Sequence, residues 1–226
     1  MFPAKCWKSP VGYKAMNHKT MWQAACAGAV LAFIAAVAQA TAAFSLPSGV
    51  QAQPAVPVAV DVFVQASNLY PDITLGFFGA DSLFVICYVV VFAGLYAATR
   101  ERAGTLAVMG LAAGVLTAGL DATENAFYIT YALGAKAGMP LEAPALPLIY
   151  LLTNLKWMAA FATLLAFGLV FPRETWLERI ITGLMLLFPL VGVLGVAAPG
   201  LIAIRGLFFL VGMPLFAVYF GKRARA

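Results

Sequence analysis

The sequence predicts an all-α protein: a polytopic membrane helix bundle of six transmembrane helices with both termini cytoplasmic. Three observations carry this. The 226 residues are 63% hydrophobic and only 10% charged, with a mean hydropathy of +0.93, whereas soluble domains carry about 25% charged residues. The apolar residues fall into runs of about 20, the length of a helix that crosses a bilayer. The basic residues gather in alternate connections between those runs. So few charges would leave a water-soluble domain of this size uncovered, which excludes a soluble enzyme, a disordered chain and an ordinary nucleic-acid-binding protein.

Residues 1–20 form a basic cytoplasmic segment with Lys5, Lys8, Lys14 and Lys19. The bundle occupies 21–220, and its first span is Met21–Phe44. A basic start followed by an apolar run and Ala38-Gln39-Ala40 also resembles a secretory signal with its cleavage site. The run is longer than a signal core, so it is read as a span; cleavage would leave five helices and the same topology. Residues 45–80 are the longest external connection. It holds Pro47, Pro54, Pro57 and Pro71, no Lys or Arg, and the acids Asp61 and Asp72. Val60, Phe63, Val64, Phe77 and Phe78 make it too apolar for a solvated linker. Part of it is expected on the outer membrane surface as a short helix, as a connector in preference to a lid.

The second span is Asp81–Thr99. The third, Gly104–Leu133, is long enough to tilt or project from the bilayer. The fourth is Pro147–Phe171. The fifth, Ile180–Ala198, has no ionisable residue, and its Pro189 removes one ladder hydrogen bond. The sixth, Leu201–Phe220, follows a tight turn at Pro199–Gly200. Residues 221–226 are a basic cytoplasmic tail. No internal repeat is evident.

Orientation follows from the loops. The four N-terminal lysines, Arg100 and Arg102, Arg173 and Arg179, and Lys222, Arg223 and Arg225 all fall on one side. They are eleven of the fourteen basic residues. The other side holds only Lys136, while Lys156 and Arg205 lie within spans. Lys and Arg accumulate in cytoplasmic loops, which places the chain in a cell membrane, the inner or plasma membrane, as a multi-pass protein.

Ionisable residues inside spans are rare and usually face the protein interior or water. Counting at about 1.5 Å per residue puts Asp81, Asp121, Lys156 and Arg205 about 25–28 Å from the basic ends. With Glu124 they make one outer layer of three acids and two bases. Asp121, Glu124, Asn125 and Tyr128 recur at i, i+3, i+4, i+7 and share a helix face. Tyr150, Thr153, Asn154 and Trp157 repeat the spacing on the next span, with Lys156 at the Thr153 edge of that face. The two stripes should meet, with Lys156 paired to Asp121 or Glu124. Gly110 and Gly114 would let the third span approach a neighbour closely. The acid surplus leaves one carboxylate without a base.

Two readings of this layer compete: a buried ion-pair network that only fixes packing, and a polar pocket open to the outer face. Uncharged partners beyond what one ion pair needs favour the pocket. Its residues would be Asp121, Glu124, Asn125, Tyr128, Thr153, Asn154, Lys156, Arg205 and Asp81.

Other chemistry is missing. Cys6, Cys26 and Cys87 are scattered and His18 is the single histidine, which argues against a zinc, haem or di-iron site. No phosphate-loop, dinucleotide, nucleophile-elbow or metalloprotease motif occurs, and Asp121-Ala-Thr-Glu124-Asn125 is too short to assign a family. No metal site is expected and no cofactor is specified. The leading function is binding or transport of a small solute, ion, proton or lipid head group. The alternatives are an enzyme using carboxylate acid–base chemistry on a lipid-like substrate, and an accessory or scaffold subunit. The partners are the lipid bilayer and a small-molecule or lipid ligand, not nucleic acid; a membrane-protein partner or a second copy of the chain remains open.

Overall fold

The computed structural model describes residues 18–226 other than 55, 143, 144, 199, 200, 202 and 203. The expectations for Lys5, Cys6, Lys8, Lys14 and the Pro199–Gly200 turn lie outside the described residues. Seven helices form: α1 His18–Phe44, α2 Val60–Leu69, α3 Pro71–Thr99, α4 Gly104–Lys136, α5 Leu146–Val170, α6 Trp176–Ala197 and α7 Ile204–Arg225. All except α2 are long and apolar enough to cross a membrane. Among the described residues there is no strand.

Local chemistry sets the helix starts. Pro71 opens α3, where its fixed φ suits the first turn and its missing N–H costs nothing. Residues 71–80 therefore belong to a span, and the expected 45–80 connection shortens to 45–70. Phe77 and Phe78, assigned by sequence to that connection, are α3 residues. The expected short helix in the connection is α2. At α6, Thr175 accepts from the Glu178 N–H and the Glu178 carboxylate accepts from the Thr175 N–H, a reciprocal cap. This cap starts the helix at Trp176, ahead of the expected Ile180. Pro189 and Pro214 lie inside α6 and α7.

The six long helices close into a ring. α1 packs on α3 and α7, α4 on α3 and α5, and α6 on α5 and α7. Close seams need small residues. At Gly114 an added Cβ would stand 2.5 Å from Phe92 on α3, and at Gly110 it would meet Phe167 on α5 at 3.1 Å. The expected close approach of this span is thus made on both sides. Cys26 and Cys87 are free thiols; Cys26 donates to the Ala217 carbonyl at 3.3 Å, and Cys87 is buried in the apolar core.

The two ends differ. At one, His18, Glu101, Arg102, Glu174 and Arg223 line a cavity of about 290 Å³. The start of α1, the α3–α4 turn, the α5–α6 turn and the end of α7 therefore share that end. Arg102 pairs with Glu174, and Arg223 pairs with the buried Glu178 at 3.1 Å. At the other end α2 lies across α3 and α4. Asn68 exchanges two 2.9 Å hydrogen bonds with the Leu141 backbone, and Lys136 pairs with Asp72 at 2.6 Å.

Candidate functional site

Asp121 and Glu124 are one turn apart on α4, and both face α5. Lys156 reaches between them. Its Nζ donates to Asp121 Oδ1 at 2.7 Å and also to Glu124 Oε2. The ammonium thus bridges both acids where the sequence had left the choice open. Glu124 is fully enclosed, at 0% exposure. It also accepts from Thr153 Oγ1 and, at 2.8 Å, from Gln53 Nε2. Three donors, two from α5 and one from the 45–70 connection, leave this carboxylate well compensated, as a charge in a low-dielectric interior requires. Asp121 takes a further bond from Tyr88 on α3 at 3.1 Å.

The remaining predicted residues divide. Asp81 is buried in the same wall, 7% exposed, and among the described residues has no cation within ion-pair distance. It is the unpaired acid of the surplus. Asn125 is buried and donates to Ser82 Oγ at 3.4 Å, while its carbonyl oxygen has no partner among the described residues. Tyr128 is not in the hydrogen-bonded group. It stacks on Phe78 with ring centroids 4.2 Å apart and packs against Phe63 of α2, which closes the layer on the α2 side.

Two expectations are corrected. Asn154 is exposed and joins nothing in the layer. The inward stripe of α5 runs through Ile149, Lys156, Ala160, Thr163 and Phe167, so Lys156 sits on it and not at the edge of a Tyr150–Asn154 face. An unpaired ammonium in lipid costs far more than an amide there, so pairing of Lys156 sets the rotation of the helix. Arg205 is in the layer but, among the described residues, in no ion pair. Its Nη2 donates to the Gly192 carbonyl at 3.1 Å, and its guanidinium lies 4.7 Å from the Trp157 ring centroid and 5.5 Å from that of Phe161.

The ring encloses a cavity of about 730 Å³, bounded by side chains from all six long helices. Asp81, Asp121, Lys156 and Arg205 mark its polar part; Phe84, Phe188 and Phe209 are typical of the rest. Residues 51, 53, 54 and 56 border it at the α2 end, and Tyr150 holds that strip by accepting from the Val58 N–H at 3.1 Å. The 45–70 connection is therefore more than an interfacial connector: its Gln53 completes the Glu124 site.

Sequence reasoning missed Tyr88, Gln53 and Gln39. Tyr88 had a signal, since it stands at i+7 from Asp81 on one face of α3. Gln39 lines the cavity from α1 with its Nε2 unpartnered. Gln53 had no signal, because only tertiary folding brings an irregular segment onto α4. Among the described residues no cluster of His, Cys, Asp and Glu has a metal-holding arrangement. No family model matches the chain, nor does any curated protein or solved structure.

Proposed function

We propose that this multi-pass membrane protein resides in the plasma membrane and binds a small amphiphile, a largely apolar molecule with a polar head, for transport through the ring. One observation carries the reading: the central cavity combines aromatic and aliphatic walls from all six helices with a few convergent polar groups. That composition is typical of ligand sites of about 300–1,000 Å³. A packing device alone would need the Lys156 ion pairs but not the open volume beside them. The head group would meet the layer of Asp81, Asp121, Lys156 and Arg205, and the chain would lie along Phe84 and Phe209.

The layer belongs to the outer leaflet in this proposal, because the basic residues cluster at the opposite end and mark it as cytoplasmic. A phosphatase that is active only outside the cytoplasm, fused after Ala226, should stay inactive. Strong activity would reverse the orientation.

The binding reading is tested with radiolabelled oleate and oleyl alcohol on the protein in nanodiscs. Saturable binding of at least one is expected, and Ala160→Phe, which fills the cavity from α5, should abolish it without lowering the melting temperature. Absence of binding by both probes, or unchanged binding in Ala160→Phe, would overturn the proposal.

A further inference from the structure

We infer that Arg205 is the anion-receiving group of the cavity, taking the carboxylate or phosphate head of the amphiphile. The inference rests on the amphiphile reading above and adds the charge of the ligand. Arg205 is 8% exposed, lines the cavity and has no carboxylate within ion-pair distance among the described residues. Three acids share its layer, yet Lys156 engages two of them and Asp81 stands unpaired. Among the described residues the guanidinium makes one hydrogen bond, to the Gly192 carbonyl, and its Nε has no partner.

The two unpaired charges are not equivalent. A carboxylate such as Asp81 can shed its charge by taking up a proton, while a guanidinium stays charged at any ambient pH. A buried cation without a counter-ion is costly, so Arg205 is the group that demands a partner from outside the chain. The site is also shaped in advance. Trp157 and Phe161 hold the guanidinium by cation–π contact, and the Gly192 carbonyl anchors one edge. The planar fork left over matches a carboxylate or a phosphate, which accept two parallel hydrogen bonds. From Trp157 an aromatic wall leads away from the head position: Phe209 lies 6.2 Å from Trp157 and 5.2 Å from Phe84, and Phe84 lies 5.3 Å from Tyr88. The acyl chain would run along these rings.

The test compares heads on one chain. Wild-type protein in nanodiscs should bind oleate or oleoyl-lysophosphatidate about tenfold more tightly than oleyl alcohol, the size of one charge-assisted hydrogen bond. Arg205→Gln should equalise acid and alcohol, and Arg205→Lys should keep part of the preference. Inorganic phosphate alone should displace neither lipid at millimolar concentration; displacement would show a free-anion site and overturn the tethered head. Equal affinity for oleate and oleyl alcohol in the wild type would overturn the Arg205 assignment while leaving the amphiphile reading intact. Absence of binding by both would overturn the amphiphile reading itself. Where Arg205→Gln fails to fold, the wild-type head-group ratio and Arg205→Lys decide the question.

Discussion

Lys156→Met is expected to destabilise the protein more than any other single change in the polar layer. Its ammonium is the one cation shared by Asp121 and Glu124, and without it three acids face one another across α3 and α4. Removing one partner of a buried ion pair costs about 3–5 kcal/mol. In a bilayer the loss falls toward the lower figure, because a carboxylate can take up a proton or draw in water. A second change should recover part of the stability, and the two acids should differ. Asp121 borders the cavity, while Glu124 is fully enclosed. Glu124→Gln should therefore rescue Lys156→Met more than Asp121→Asn, and the triple variant more than either. Thermal unfolding in nanodiscs gives the stabilities, and amphiphile binding is measured on the same samples. Stability that returns without binding would identify a working site. Return of both would make the layer structural, and an unchanged melting temperature in Lys156→Met would contradict the bridging geometry.

Gly94→Ala should be among the most damaging additions of a single methyl. The new Cβ would stand 2.6 Å from Ala25 Cβ on α1 and 2.9 Å from Phe220 Cζ on α7. Ala25 has no rotamer with which to retreat, so α1 itself must move away from α3. Overpacking of this kind costs about 1–3 kcal/mol. α1 also closes the ring between α3 and α7, so the shift should loosen the cavity and weaken binding as well. Gly119→Ala is the matched control: no atom lies within 4 Å of its added Cβ, and alanine is the better helix former by about 1 kcal/mol in aqueous hosts. Gly119→Ala should melt at or above the wild type. If Gly94→Ala does the same, α1 and α3 are not packed as closely as described.

Hydropathy and helix spacing carry most of the architecture. The bilayer imposes a minimum run of apolar residues, so six spans are visible without any knowledge of packing. Burial of charge in lipid is costly enough that depth counting and helix spacing together bring Asp121, Glu124 and Lys156 into one layer. What failed was local. Hydropathy starts α3 ten residues late because Phe77 and Phe78 look like part of a surface connection, whereas Pro71 opens the helix and both rings pack together. On α5, Tyr150, Thr153 and Asn154 look like a polar stripe, yet the charge on Lys156 outweighs them and turns Asn154 outward.

Depth along a helix is a one-dimensional property, and the sequence determines it through length and charge. Closure of a ring is not such a property. It depends on which small residues meet which rings, as Gly114 meets Phe92 and Gly94 meets Ala25. From that closure come the features no linear pattern holds: a central cavity, a glutamine from an irregular segment seated on Glu124, and an arginine stacked on Trp157. The sequence by itself determined that charges would lie within the membrane layer, because the spans are fixed by hydropathy. Tertiary structure alone decided that Lys156 would bridge both acids and that Arg205 would have no acid within ion-pair distance among the described residues, since such distances depend on how the helices rotate and pack.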